Sequence, residues 1–286
     1  MKARIGGLEI GEGLPVRVMG VINVSPESFY KGSVRLTPEE VSRAAAEMEE
    51  EGADLIDIGA MSSAPYLETW IDEDLEVERV RMALKAVREV TDLPISLDSF
   101  RPKPVLEGLR LGVDAVNDVY GLAYLKGVIR DIVDSGASLI IMARNVKSGD
   151  PIVGITSMLR GSISLALEAG MSEEMLIVDP GIGFHRSHKS LKWYEFDLEV
   201  LRRLGEVKAL GRPVLIGCSR KSFIGKITGK TDPADRLSGS LAAETIAVLQ
   251  GADIVRTHNI RETLDSISVA SAFIKRPIRS RASTSQ

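Results

Sequence analysis

The chain has 286 residues, 44% of them hydrophobic and 27% charged, which is the composition of a globular protein with a sizeable core. Its formal net charge of −4 and its pI near 5.6 argue against a general nucleic-acid-binding surface. The single cysteine, Cys218, excludes an internal disulfide. No apolar run approaches the roughly 20 residues that span a bilayer, and residues 1–17 lack a signal peptide. We therefore expect a cytoplasmic protein that binds neither membranes nor nucleic acid.

The N-terminal segment predicts a small β-hairpin. In residues 4–10, Gly6 and Gly7 stand between two short apolar segments, which is the pattern of a two-residue turn. We expect this hairpin to cover one end of the fold.

After the hairpin, one unit recurs: an amphipathic segment, a glycine, and a short apolar run of strand length. The glycines that end four of the amphipathic segments are Gly52, Gly112, Gly136 and Gly251. Glycine suits this position because it adopts the positive φ of a helix stop without a steric penalty. The repeat is therefore helix, glycine stop, strand.

Two segments carry signals for the start of a helix. Thr37 precedes Pro38 and stands three residues before Glu40, which predicts an N-cap with a capping box. Asp232 and Pro233 predict a similar start before a helix over residues 236–249.

The apolar runs of strand length cover residues 16–24, 55–60, 94–98, 115–119, 139–143, 175–179, 214–217 and 254–257. Continuously apolar strands belong to parallel sheets that are buried on both faces. Eight such units predict a (β/α)8 TIM barrel, a single domain over residues 1–275. A doubly wound open sheet is the alternative, but no GxGxxG motif follows the first run. The basic, serine-rich tail over residues 276–286 is predicted to be disordered.

Polar residues stand at the carboxyl ends of nearly all these strands. They are Asn23, Ser62, Ser63, Asp98, Asn117, Asp118, Arg144, Asn145, Asp179, Lys221, Arg256 and His258. Barrel enzymes build their active sites from this end of the strands. The sequence therefore predicts one site at this mouth of the barrel.

The acidic and amide members of this set indicate the kind of ligand. Asp98, Asn117 and Asp179 each emerge from an apolar run, so they need hydrogen-bond donors to offset their burial. A carboxylate accepts two parallel hydrogen bonds and so matches a ring with adjacent N–H and NH2 groups, such as guanine or a pterin.

The cationic members point to phosphate. Lys221 and its neighbour Arg220 follow the seventh strand, and Arg256 and His258 follow the eighth, where barrel enzymes commonly bind phosphate. No HExxH or CxxC spacing supports a zinc site. A magnesium ion held by one protein oxygen and by substrate phosphates is compatible with the sequence, because that ion keeps most of its waters.

Several segments resemble those of the dihydropteroate synthase family, in register over residues 15–272. They are MGVINVSPESF (19–29), SLDSF (96–100), VNDV (116–119), DPGIGF (179–184), IGCSRKSFIGKITG (216–229), RLSGSLAAE (236–244) and VRTHNIRET (255–263). The resemblance implies a transferase of folate biosynthesis with a pterin-binding TIM barrel. Its reaction joins 6-hydroxymethyl-7,8-dihydropterin diphosphate to para-aminobenzoate and releases diphosphate. It also implies a homodimer.

The resemblance assigns roles by position. The residues implied for the pterin are Asp98, Asn117, Asp179, Lys221 and Arg256. The residues implied for the diphosphate are Asn23, Arg256 and His258, with Mg2+ bound to Asn23. Those implied for the arylamine are Ser219, Phe184 and Phe29. Catalysis is assigned to Asp98, Lys221, Arg256 and His258, with Asp98 stabilising the positive charge left on the pterin methylene when diphosphate departs.

The chain departs from the family pattern in its loops. Lys31 stands where the first loop usually has an aspartate, and Ala64 replaces the arginine of the second loop. Arg144 takes the last position of the fifth strand's usual MHM, and His185-Arg186 stands where the sixth strand's loop usually has Gly-Lys. Lys31 either supplies the cation missing at Ala64 or indicates a different acceptor.

Three alternatives stay open at this point. A related synthase of the methanopterin type would use a ribosylated arylamine phosphate, and Lys31 and Arg144 would then meet the extra phosphate. A pterin-binding methyltransferase shares the barrel and the Asp/Asn pocket, but has no need of Lys221 or of the Arg256 and His258 pair. A non-catalytic protein would bind pterin without releasing diphosphate.

Overall fold

A computed structural model describes residues 1–28, 30–65 and 69–279. Strands β1 (Lys2–Ile5) and β2 (Leu8–Gly11) pair antiparallel and form the predicted hairpin. Eight parallel strands then follow in the described chain: β3 (Arg17–Asn23), β4 (Leu55–Gly59), β5 (Ile95–Asp98), β6 (Ala115–Asp118), β7 (Ser138–Met142), β8 (Leu176–Asp179), β9 (Leu215–Ile216) and β10 (Ile254–Thr257). All eight predicted strands are confirmed, and their ends differ from the predicted ones by at most one residue.

The eight strands close into a barrel. Hydrogen bonds run in the order β8-β7-β6-β5-β4-β3-β10-β9, and a parallel bridge between Val178 and Val214 joins the two outermost strands. The (β/α)8 barrel is therefore confirmed, and the open-sheet alternative is wrong.

Helices connect the strands around the outside of the barrel. Within the described residues they are α1 (Pro38–Glu51), α2 (Glu73–Arg88), α3 (Pro102–Arg110), α4 (Ile129–Ser135), α5 (Pro151–Glu168), α6 (Trp193–Arg202), α7 (Leu204–Lys208), α8 (Ser222–Thr228), α9 (Leu237–Leu249) and α10 (Ile260–Phe273). No described helix combines the length and the apolar composition needed to cross a bilayer.

The start and the end of α1 follow the predicted signals. The Thr37 hydroxyl accepts the N–H of Glu40, the Glu40 carboxylate accepts the N–H of Thr37, and Pro38 takes the first helical position. Gly52 ends the helix with φ of 99°. The second predicted helix start differs, because Asp232 caps a single 3-10 turn, Pro233–Arg236, and α9 begins only after it.

The hairpin closes the amino-terminal end of the barrel. Its side chains Ala3, Ile5 and Ile10 pack in one cluster with interior residues of the strands: Met19, Leu55, Ala115, Ile140, Ile177, Leu215 and Ile254. This end of the interior is apolar and filled. Polar groups that point into the barrel therefore collect at the opposite, carboxyl end.

The packed chain extends past the predicted domain boundary at residue 275. Arg276 donates to the carbonyl oxygens of Leu14 and Ala252 and forms an ion pair with the buried Asp253. Arg279 pairs with Asp54. The prediction of disorder is therefore wrong for residues 276–279, because buried carboxylates hold their arginines. The rest of the predicted tail, residues 280–286, lies outside the described residues.

Candidate active site

A cavity opens at the carboxyl ends of the barrel strands. The predicted site residues that line it are Asn23, Asp98, Asn117, Asp179, Phe184, Lys221, Arg256 and His258. They come from strands β3, β5, β6, β8 and β10 and from the loops after β8, β9 and β10. The structure thus brings together side chains that lie up to 235 positions apart in the sequence, from Asn23 to His258. Phe29, the remaining predicted aryl contact, lies outside the described residues.

A hydrogen-bonded network forms the floor of this cavity. Arg256 donates from Nε to Asp57 Oδ2 (2.6 Å) and from Nη2 to Asp98 Oδ2 (3.0 Å). Asn117 donates from Nδ2 to the same Asp57 oxygen (3.2 Å), so its carbonyl oxygen is the atom left for a ligand. The network fixes the orientation of all four side chains before any ligand binds.

Asp98 sits in a site that resists its ionisation. Burial raises the pKa of Asp98 to about 7, although the nearby Arg256 lowers it. The carboxylates of Asp57 and Glu76 raise it further. Asp98 therefore changes charge near neutral pH and presents an acceptor at the mouth of the barrel when ionised.

Asp179 and Lys221 form an acceptor and a donor on the opposite side of the cavity. Burial raises the pKa of Asp179, and Lys221 opposes this shift. The Gly181 N–H donates to Asp179 Oδ1 at 2.7 Å, which fixes the carboxylate plane. Burial also lowers the pKa of the Lys221 ammonium, against the effect of Asp179. Each charged group stabilises the other in this desolvated part of the site.

The loop after β8 is shaped around Lys221. Its Nζ donates to the carbonyl of Ile182 and lies 4.6 Å from the centre of the Phe184 ring. Gly183 has φ of 84°, and a Cβ there would stand 2.9 Å from Lys221 Cδ. Glycine is therefore required at 183 both by the backbone conformation and by the lysine that passes beside it.

His258 is held as a neutral ring. Burial, together with the charges of Arg256, Arg220 and Lys221, lowers the pKa of His258 to about 3. Its Nδ1 lies 2.9 Å from Ser219 Oγ, which also accepts the backbone N–H of His258. A hydroxyl that accepts this N–H can donate to Nδ1, which places the ring proton on Nε2 as a donor for an anion.

Ser219 does not line the cavity, contrary to its predicted role toward the arylamine. It is buried below His258, and both of its described contacts are to that residue. The serine that lines the cavity is Ser222, the first residue of α8. The Arg186 guanidinium donates to its hydroxyl at 2.6 Å. Ser222 and Arg186, and not Ser219, therefore line the cavity near Phe184.

Arg220 also lies away from the predicted phosphate position. Its guanidinium donates to Asn259 and to the carbonyl oxygens of Pro233 and Ala234, and it packs 4.5 Å from the Tyr30 ring. Arg220 has φ of 56°, and this backbone turn directs its side chain away from that of Lys221. It holds the loops together and does not line the cavity.

Asn23 has the geometry of a single-oxygen metal ligand. Its Nδ2 donates to Ser33 Oγ at 2.7 Å, so the carbonyl oxygen Oδ1 is the atom free for a cation. Gly59 leaves room there, since a Cβ at that position would stand 2.9 Å from Asn23 Oδ1. Among the described residues, no group of three or more acidic, histidine or cysteine side chains is placed to bind a metal. One amide oxygen suits Mg2+ that takes its other ligands from water and phosphate.

Sequence reasoning missed Asp57, Ser222 and Arg186 as site residues. Asp57 carried a signal, because it is the one charged residue in the apolar run over 55–60 and points into the barrel. Ser222 and Arg186 carried none beyond their proximity to Lys221 and Phe184.

Comparison with known proteins identifies the family. Residues 19–258 match the family model described as pterin binding enzyme. The chain belongs to this family. The match includes all the predicted site residues, from Asn23 to His258.

Proteins similar to this chain include dihydropteroate synthases. The Synechocystis enzyme is 35% identical over 265 residues, covering 90% of this chain and 89% of the relative. A Xanthomonas albilineans dihydropteroate synthase in complex with 7,8-dihydropteroate superposes with a TM-score of 0.83 at 30% identity, covering 97% of this chain and 100% of that one. The same bacterium's synthase with 4-aminobenzoic acid gives 0.84 at 31% identity, with 96% and 99% covered. This pterin-binding enzyme is a transferase of the dihydropteroate synthase type.

Proposed function

We propose that the chain joins 6-hydroxymethyl-7,8-dihydropterin diphosphate to para-aminobenzoate, giving 7,8-dihydropteroate and diphosphate. The observation that carries this proposal is that one cavity is lined both by the buried acceptors Asp98 and Asp179 and by the donors Lys221, Arg256 and His258. The Xanthomonas albilineans synthases in complex with 4-aminobenzoic acid and with 7,8-dihydropteroate support the same arylamine and the same product.

The pterin ring binds over the floor of the cavity. Asp179 and Asp98 accept hydrogen bonds from the ring N–H and amino groups, and the Asn117 carbonyl accepts another. Lys221 donates to the ring's oxygen or nitrogen acceptors. Arg256 supports the site from below by keeping Asp98 oriented through its hydrogen bond.

The diphosphate lies on the β3 and β10 side. Neutral His258 donates from Nε2, and Arg256 contributes positive charge. Asn23 would hold Mg2+, whose chemistry is to neutralise charge on the leaving diphosphate.

The arylamine enters between Phe184 and α8, with its carboxylate toward Ser222 and Arg186. Its nitrogen lone pair forms the new C–N bond to the pterin methylene as the C–O bond breaks, and that electron pair leaves with the diphosphate. The amine then loses a proton to water. Asp98 stabilises the positive charge that develops on the methylene, and an arylamine needs no strong base to attack it.

A direct assay tests this function. Purified protein is incubated with the pterin diphosphate, Mg2+ and para-aminobenzoate, and we expect dihydropteroate and diphosphate in equal amounts by chromatography. Omission of the arylamine is the control and should give neither product. Pterin binding without product from para-aminobenzoate or a longer arylamine would identify a non-catalytic pterin-binding protein.

We further propose a homodimer formed through α9 and α10. These neighbouring helices are joined by the Thr245 and Ser266 hydroxyls (2.6 Å). Exposed apolar side chains on them are Ile246, Leu249, Val269 and Phe273, the last two 72% and 78% exposed. Apolar side chains of this size on adjacent helices suit a self-complementary contact with a second copy.

The substitution Phe273→Glu is expected to convert the dimer to a monomer in size-exclusion chromatography with light scattering, because it places a charge in the apolar contact. Val153→Glu, on α5 and 64% exposed, is the matched control and should leave the dimer intact. Equal behaviour of the two variants would contradict the proposed interface.

We also propose that the protein carries out this reaction in the cytoplasm.

A further inference from the structure

A second cavity shares the segment 61–65 with the first as a common wall. Its volume is about 200 Å3. Its other lining residues are Thr69, Trp70, Phe100, Tyr120 and Arg144. None of the described lining residues is acidic. A ligand in the first cavity that continued past this segment would meet aromatic surfaces and one positive charge.

Arg144 is a cation without hydrogen-bond partners at two of its nitrogens. Its Nε and Nη1 atoms are buried, and no described group accepts a hydrogen bond from either. Other arginines near the mouth are paired: Arg101 with Glu76, and Arg256 with Asp57 and Asp98. Burying N–H donors of a charged group without acceptors is costly, so the position favours an oxyanion from outside the chain.

The guanidinium is held in place by aromatic rings. Its Cζ lies 4.1 Å from the Tyr120 ring centre and 5.2 Å from that of Phe184. The Tyr120 side chain also hydrogen bonds the guanidinium, whereas the rings themselves stabilise the charge through cation–π attraction and accept no strong hydrogen bond. Phe184 also contacts Lys221, so the same ring borders both the pterin side of the site and Arg144.

The position of Arg144 separates it from the proposed diphosphate site. Arg144 follows β7, which stands opposite β3 in the eight-strand ring, and Asn23 ends β3. An oxyanion at Arg144 therefore belongs to the other reactant. Lys31, the other cation suggested by the sequence, donates to the Pro26 carbonyl and lines neither cavity.

We propose that Arg144 and this second cavity form an oxyanion subsite for an arylamine that carries an acidic group beyond its ring carboxyl. This proposal rests on the proposed function for its substrate. The subsite determines which arylamine the enzyme prefers. The aryl ring lies against Phe184, the extension passes the segment 61–65, and its carboxylate or phosphate pairs with the Arg144 guanidinium.

The test compares two arylamines: para-aminobenzoate, and para-aminobenzoylglutamate, in which an amide replaces the ring carboxylate and carries two carboxylates beyond it. Their affinities are measured by calorimetry on protein saturated with 6-hydroxymethylpterin, inorganic diphosphate and Mg2+, which cannot react. Steady-state kinetics with the pterin diphosphate follow. The variants are Arg144→Met, which keeps an unbranched chain as long as the aliphatic part of arginine without the charge, and Arg144→Lys. Arg160→Met, an exposed arginine on α5, is the matched control.

We expect Arg144→Met to weaken para-aminobenzoylglutamate binding about 10- to 100-fold, the effect of hydrogen bonds to a charged group, and para-aminobenzoate binding less than threefold. Arg144→Lys should fall between Met and the parent, and Arg160→Met should match the parent. The KM for the pterin diphosphate should stay constant.

Equal losses for both arylamines, no loss for either, or a raised KM for the pterin diphosphate alone would each overturn the subsite. The calorimetric result needs no turnover. It therefore answers this question even if the assay under the proposed function gives no product, and a selective loss would support the subsite in that case too.

Discussion

Asp179→Asn is expected to lose at least about 100-fold in pterin affinity and to keep its fold. The carboxylate can accept two parallel hydrogen bonds from a pterin edge, whereas an amide accepts one and sets its own NH2 against a ring donor. Charge-assisted hydrogen bonds contribute about 1.5–3 kcal/mol each, and about 2.7 kcal/mol corresponds to 100-fold. Lys221 loses its nearby negative charge at the same time. Calorimetry with 6-hydroxymethylpterin measures the affinity, and thermal unfolding checks the fold.

Asp118→Asn is the matched control for this prediction. Asp118 ends β6, is fully buried, and accepts the backbone N–H groups of Tyr120 and Leu122, but it does not line the cavity. Its replacement should lower the unfolding temperature and leave the pterin affinity of the folded protein within about threefold. If Asp179→Asn binds pterin as tightly as Asp118→Asn does, the pterin does not occupy this pocket.

The barrel was predictable from the sequence because its signals are local. Each helix stop and strand occupies a few consecutive residues, as Gly52 and the run 55–60 illustrate. Closure could also be inferred, since eight β/α units of this length have few other arrangements. The docking of residues 276–279 could not, because it depends on Asp54 and Asp253, which are distant in sequence.

The site was predictable to the level of which strand ends contribute, but not to the level of which atoms face the ligand. Ser219 and Ser222 stand three residues apart at the start of α8. The backbone turn at Arg220, with its positive φ, sends Ser219 under His258 and leaves Ser222 at the cavity. A sequence pattern marks the segment, and only the φ and ψ angles decide which of its serines is exposed to substrate.

Asp57 shows a second limit of the sequence. It holds Arg256 and Asn117 from below, so it positions two predicted ligand contacts without being one itself. Pairing of this kind depends on the barrel bringing β4, β6 and β10 around one axis. The sequence could reveal a charge within an apolar strand but not its partners.

Asp98→Asn is expected to lower kcat by about 100- to 1,000-fold and to remove the pH dependence of kcat near 7. A negative charge about 4 Å from a developing positive charge, at an effective dielectric constant near 20, stabilises it by about 4 kcal/mol, which corresponds to about 1,000-fold. Burial raises the pKa of Asp98 to about 7, so the parent enzyme should lose rate as the pH falls through 7 and the carboxylate takes up a proton. Initial rates from pH 5.5 to 8.5 measure both effects.

The raised pKa of Asp98 also predicts how the stability of the folded chain changes with pH. Asp98 binds its proton more tightly in the folded chain than at its ordinary pKa of 3.8, so the parent loses stability as the pH rises from about 4 to about 7. Asn resembles the protonated carboxyl, so Asp98→Asn should unfold at a higher temperature than the parent at pH 8 and at a similar temperature at pH 4.

A substitution at Glu244 is the control that separates the effect of Asp98 on kcat from its effect on stability. Glu244 is buried on α9, burial raises its pKa to about 7 as well, and it hydrogen bonds Thr263 away from the cavity. Glu244→Gln should therefore share the gain in unfolding temperature at pH 8 but keep the parent's kcat and its pH dependence. A flattened rate profile in Glu244→Gln, or an unchanged one in Asp98→Asn, would mean that Asp98 is not the carboxylate whose ionisation supports the departure of diphosphate.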